Sequence, residues 1–165
     1  MDQSTPLAPV VVAVCRSAGG IPKLPLPEAE VVESGLIGDG HNHAKHIRPD
    51  RAVSLWEMET IRDLIGEGFP LVPGAGGENL TVEGLNLQRL EPGTLLGIGE
   101  VVLRLTQPRK PCYVLDAIDP RLKEVVIGRL GYMAAVVQRG TIAPGMAVQV
   151  LATAESTISE PEPVS

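Results

Sequence analysis

Leu95-Leu96-Gly97-Ile98-Gly99-Glu100-Val101-Val102-Leu103-Arg104-Leu105-Thr106 reads as two apolar strands folded back on each other. Leu95–Ile98 and Val101–Thr106 are short and aliphatic, and the Gly99-Glu100 pair between them has the length and backbone freedom of a hairpin turn. The chain on both sides repeats the theme. Upstream, Val10–Cys15 is a buried strand that stops at Gly19-Gly20, Glu30–Glu33 and Ala52–Leu55 are shorter strands, and Leu80–Val82 follows a flexible glycine-rich loop. Downstream, Ala134–Val137 and Ala147–Val150 supply the last strands. The clearest helix is Glu57–Gly66, with Met58, Ile61, Leu64 and Ile65 on one apolar face and Gly66 or Gly68 ending it; Cys112–Ile118 and Pro120–Ile127 are short helical segments. Ile21-Pro22-Lys23-Leu24-Pro25-Leu26-Pro27 alternates proline with other residues, which bars it from a sheet interior and makes it an extended connector. Many short strands and few helices predict a mainly β fold, an antiparallel barrel closed or nearly so, because closure disposes of unpaired sheet edges. Helices are expected over its ends.

Composition agrees. The 165 residues suit one domain, read as residues 10–151 between a flexible start, 1–9, and an acidic tail, 152–165, that lacks apolar periodicity and is expected to be disordered. Hydrophobic residues make up 44% of the chain and aromatic residues 2%, so the core is aliphatic. With 18 Gly and 15 Pro, one fifth of the chain, turns are frequent and a helical bundle is excluded. The net charge of −6, with no basic run and no aromatic platform, argues against nucleic acid as a partner. Val10–Val14 is too short to span a bilayer and has no basic segment ahead of it, so no membrane partner is expected and a cytoplasmic location is. Two cysteines, Cys15 and Cys112, are too few for a disulfide framework.

Three groups of residues carry chemistry. In Arg109-Lys110-Pro111-Cys112 a thiol follows two cations at a strand end. Positive charge stabilises the thiolate, the form that attacks sulfur or binds a soft metal, and the alternative reading is an inert buried cysteine. Cys15, inside an unbroken strand pattern, reads as core. His41, His43 and His46 lie in the long polar loop Gly35–Asp50. Their spacing is not that of a helical metal motif, so they read as ligand-orienting imidazoles on a loop bearing Arg48 and Arg51, with zinc as the competing reading. Pro73–Asn79 is glycine-rich, and its backbone N–H groups offer an anion site or simply a turn.

Taken together, these residues resemble a known family. Val14, Ile21-Pro22-Lys23, Gly38-Asp39-x-His41, Asp50-Arg51-Ala52-Val53-Ser54-Leu55, Pro73-Gly74-x-x-Gly77-Glu78-Asn79-Leu80-Thr81, Gly84-Leu85, Leu90-x-Pro92-Gly93 and Thr106-x-Pro108-Arg109-x-Pro111-Cys112 are similar, in order and spacing, to the MOSC domain. That domain is the carboxy-terminal part of molybdenum-cofactor sulfurases, enzymes associated with pyridoxal phosphate, and also occurs alone. The resemblance implies a β-barrel and a cleft for the molybdenum cofactor (molybdopterin) or a related sulfur species, with a tungsten form equally compatible. It implies Cys112 as metal ligand or sulfur carrier, and Lys23, His41, His46, Arg51, Gly76, Gly77, Asn79, Thr106 and Arg109 as the cofactor-binding set. Family members with reductase activity use a cysteine-ligated molybdenum to reduce N-hydroxylated compounds.

The chain departs from the family where His46-Ile47-Arg48-Pro49-Asp50 replaces the usual His-Gly-Gly-Pro-Asp, and where Gly131–Val136 lacks a frequent aromatic and Arg. Two readings follow. In one the chain is an oxidoreductase that takes electrons from a separate protein, since it has no flavin or iron–sulfur motif of its own. In the other it carries persulfide sulfur or cofactor, received from a donor protein, without turning over a substrate.

Overall fold

The computed structural model describes residues 8–18, 21–40, 49–111 and 113–153. The expectations for His41, His43, His46 and Cys112, and for most of the flexible start and of the tail, lie outside the described residues. The hairpin forms as read: β7 (Leu95–Ile98) and β8 (Val101–Pro108) pair Leu96 with Leu103 and Ile98 with Val101. Along β8, Val101, Leu103 and Leu105 are buried while Arg104 is exposed, the period of two that a sheet with one face on a core requires.

The other strands are β1 (Val10–Arg16), β2 (Leu24–Pro25), β3 (Ala29–Val32), β4 (Gly35–Leu36), β5 (Val53–Glu57), β6 (Leu80–Glu83), β9 (Tyr132–Gln138), β10 (Gly140–Ile142) and β11 (Gln149–Ala152). Of all eleven, eight form one sheet in the order β11, β7, β8, β9, β5, β6, β1, β2; β10, β3 and β4 form a second. The large sheet curls on itself. Val11 N–H donates to the Met146 carbonyl and Val148 N–H to the Pro9 carbonyl, both at 2.9 Å, so β1 meets the segment leading into β11. Irregular register between β8 and β9 supplies part of the bend. Inside lie Val14, Val53, Leu55, Leu80, Leu96, Leu103, Leu105 and their neighbours, an aliphatic core as the composition requires.

Several expectations are corrected. The barrel is not antiparallel throughout: β5 and β6 run parallel, Leu55 opposite Leu80, because the helix α1 (Met58–Gly66) lies between them and supplies the crossover that parallel strands need. Of the apolar face of α1, Ile61 and Leu64 are buried in the second core and Met58 packs against it, while Ile65 is 45% exposed. Short α2 (Leu122–Val125) joins the same cluster, so both helices gather over Trp56 on β5. The loop Gly35–Asp50 is not wholly irregular: Gly35–Leu36 pairs with β3, and Pro49–Arg51 is a turn of 3-10 helix. The proline connector does reach the sheet, with Leu24 and Pro25 as its edge strand beside Arg16 and Cys15, the place where a missing N–H is tolerated. The segment before β6 is no flexible surface loop, for Ala75, Glu78 and Asn79 are buried.

All five residues of β5 are buried, because one face looks into the barrel and the other into the helical cluster. Trp56 is the joint of the second cluster, fully buried and donating its indole N–H to the Arg129 carbonyl at 2.7 Å. Truncation leaves a large cavity and an orphaned carbonyl, so Trp56→Ala lowers stability by about 3–5 kcal/mol in urea unfolding; a loss below ~1 kcal/mol would show that the cluster closes without it.

Candidate ligand cleft

Strands β5 and β6 begin side by side at Ser54 and Asn79, and the cleft opens there. Asn79 is buried, and its amide oxygen accepts the Ser54 N–H at 3.0 Å while the amide nitrogen donates to the Cys15 carbonyl at 3.2 Å and to Asp39 at 3.0 Å. Both amide hydrogens are engaged, so Asn79 joins β1, β5 and Asp39 and acts on a ligand mainly through them. Asp39 in turn accepts the Ser17 N–H at 3.0 Å and, with both oxygens, the Lys23 ammonium at 2.7 Å. The Lys23–Asp39 pair is largely covered, at 13% and 5% side-chain exposure. A buried pair of this kind fixes geometry more than it adds stability.

Arg109, directly after β8, also lines the cleft. Arg109 donates from its guanidinium to the Gly76 carbonyl at 2.9 Å, and its backbone N–H to the Gly131 carbonyl at 2.9 Å. Behind it lies Glu78, fully buried, with one carboxylate oxygen accepting the Gly74 N–H at 2.7 Å and the other without a hydrogen-bond partner. Burial raises the Glu78 pKa, and the Arg109 charge and backbone N–H bonds oppose the rise. Gly74 has φ +90°, and a Cβ there would lie 2.2 Å from the Lys23 carbonyl, so only glycine lets this loop pack on the Lys23 segment.

The result is a cleft of about 240 Å³ lined by Lys23, Asp39, Gly40, Arg51, Ala52, Ser54, Gly77, Asn79, Arg109 and Met133. A smaller hollow of about 160 Å³ adjoins it, sharing Arg51, Arg109 and Met133 and adding Gln107 and Lys110. The structure thus brings together Lys23, Arg51, Gly77, Asn79 and Arg109. Gly76 enters through the carbonyl that orients Arg109. Thr106 does not line the cleft; its hydroxyl faces the carbonyls of Asp50 and Met133, tying the Arg51 turn to β9. Cys15 is buried as read, its thiol pushed up to about 11 by desolvation first and the Glu78 carboxylate second. Among the described residues no cluster of His, Cys, Asp and Glu is placed to hold a metal ion. Sequence reasoning assigned no role to Ser54, Ser17 or Glu78, and named Asp39 without its task. The signal available for Asp39 was the need of a half-covered lysine for a counter-charge.

The MOSC domain model matches residues 42–149. The chain belongs to the MOSC family. YflK of Bacillus subtilis is 33% identical over 150 residues, which take in 85% of this chain and 66% of YflK. YiiM of Escherichia coli is 31% identical over 124 residues, 70% of this chain and 55% of YiiM. The MOSC chain therefore spans two thirds or less of the curated relatives it matches. The crystal structure of Escherichia coli YiiM superimposes with a TM-score of 0.71 at 25% identity, covering 97% of this chain and 81% of that one. YuaD of Bacillus subtilis shares the fold, with a TM-score of 0.73 at 17% identity over 87% of this chain and 96% of that one. No helix among the described residues is long and apolar enough to cross a membrane.

Glu78 gives a pH test. An acid whose folded pKa is raised leaves the folded state holding more protons, so its contribution falls as pH rises from the unfolded value of 4.5 through the folded one. Glu78→Gln removes that loss. Measured by urea unfolding between pH 4.5 and 8, the stability difference shifts in favour of the variant as pH rises; a difference independent of pH contradicts the raised pKa.

Proposed function

We propose that the cleft binds the molybdenum cofactor, with Cys112 as the protein's ligand to the metal, and that the loaded protein reduces N-hydroxylated compounds. The observation that supports this is the convergence of Lys23, Arg51 and Arg109 around one cleft, with Arg109 directly after β8 and three residues before Cys112 in sequence. A phosphate-bearing, hydrogen-bonding heterocycle fits such a lining: the guanidinium groups of Arg51 and Arg109 present forked N–H donors to oxyanions. Gly77 lines the cleft without a side chain, so the loop backbone meets a ligand directly.

When bound, the cofactor supplies two-electron redox chemistry at a metal. The overall change is R–NHOH plus two electrons and two protons to R–NH2 plus water, the N–O bond breaking and an N–H bond forming. The electrons come from a separate donor protein, in a reducing compartment such as the cytoplasm. The chain's own contribution is positional. Asp39 holds the Lys23 ammonium toward the cleft, Gly76 aims Arg109, and the Thr106 hydroxyl holds the turn that carries Arg51.

Protein purified from a cofactor-competent host is expected to carry about one molybdenum or tungsten per chain and to turn over a hydroxylamine with an artificial donor. Cys112→Ala abolishes turnover. Arg109→Ala, losing a charge-assisted contact of about 1.5–3 kcal/mol, lowers pterin retention about 10- to 100-fold. Metal-free protein that passes labelled sulfur to an acceptor would instead make the chain a sulfur carrier.

A further inference from the structure

The cations around the cleft are not equivalent. Lys23 has its counter-charge in Asp39, and Arg109 is turned to the Gly76 carbonyl with the Glu78 carboxyl behind it. Arg51 and Lys110 are exposed and pair with no carboxylate among the described residues. Both line the adjoining hollow, and no acidic residue among the described ones lines it with them. Arg51 lines the cleft as well, so the positive charge that belongs to the hollow and not to the cleft is that of Lys110.

The lining has the parts of a recognition site. Lys110 is a point charge on a flexible stem, the Gln107 amide is a directional donor, and Met133 is an apolar, adaptable wall for the body of a molecule. Lys110 lines the adjoining hollow and not the cleft, and stands two residues before Cys112 in sequence.

Resting on the reductase reading above, we infer that Lys110 and Gln107, which the hollow does not share with the cleft, make it a substrate subsite for an oxyanion, so that preferred substrates carry a carboxylate or phosphate besides the reducible N-hydroxy group. Attraction of this kind acts at the encounter and in the bound complex, and is screened by salt.

The test compares 4-carboxyphenylhydroxylamine with phenylhydroxylamine on the loaded protein. Wild type is expected to favour the acid by about 10-fold or more in kcat/KM, the preference shrinking as ionic strength rises. Lys110→Ala brings the acid-to-neutral ratio near one, chiefly through KM, with molybdenum content per chain retained, and Lys110→Arg restores much of the preference. Equal use of both compounds by wild type overturns the inference, as does loss of molybdenum from Lys110→Ala, which would assign the hollow to the cofactor. Calorimetry separates this from failure of the reductase reading. Where neither hydroxylamine is turned over, that reading fails, and tighter binding of 4-aminobenzoate than of aniline, lost in Lys110→Ala, still upholds the subsite; equal binding overturns it.

Discussion

The Asn79 side-chain amide holds three parts of the chain at one point: the Cys15 carbonyl of β1, the Ser54 N–H of β5 and the Asp39 carboxylate. Each is a buried or half-buried polar group that needs a partner, and a buried donor or acceptor left without one costs about 1–3 kcal/mol. A single residue thus satisfies the start of the parallel β5–β6 seam, fixes where Asp39 sits, and through Asp39 fixes the Lys23 ammonium. The cleft exists because this junction lies where two parallel strands begin and the glycine-rich loop passes over them.

On the other side, Arg109 needs the loop as much as the loop needs Arg109. Its guanidinium takes the Gly76 carbonyl, while Glu78 takes the Gly74 N–H, so the loop is held at two points from beneath. One Glu78 oxygen, buried beneath the loop, has no hydrogen-bond partner among the described residues. Lys23 is therefore held by a carboxylate and Arg109 by a backbone carbonyl, while Arg51 and Lys110 pair with no carboxylate among the described residues.

Local pattern and long-range pairing differ in how well the sequence displays them. The β7–β8 hairpin, α1 and the strand Val10–Arg16 were legible because aliphatic runs, a turn dipeptide and helical spacing are contained in a dozen residues. The parallel pairing of β5 with β6 was not, since it depends on where α1 returns the chain. Nor was β10, whose Gly140-Thr141-Ile142 is too short for any periodicity and is held by β3. In the site, Lys23, Arg51, Gly77, Asn79 and Arg109 were named from motif resemblance, and the cleft does gather them. Their division of labour was hidden: Asn79 as a junction, Thr106 as a tie for the Arg51 turn and Glu78 as support under the loop are facts of packing that no spacing encodes.

Asn79 is the residue on which the cleft is assembled, although its amide is engaged within the protein. Pterin and molybdenum retained per folded chain should therefore be measured in Asn79→Ala, at a temperature well below its unfolding midpoint. Retention reduced at least about 10-fold, as expected when Asp39 and Lys23 lose their anchor, together with a lowered midpoint, is the predicted result. Retention equal to wild type in the folded variant would contradict it.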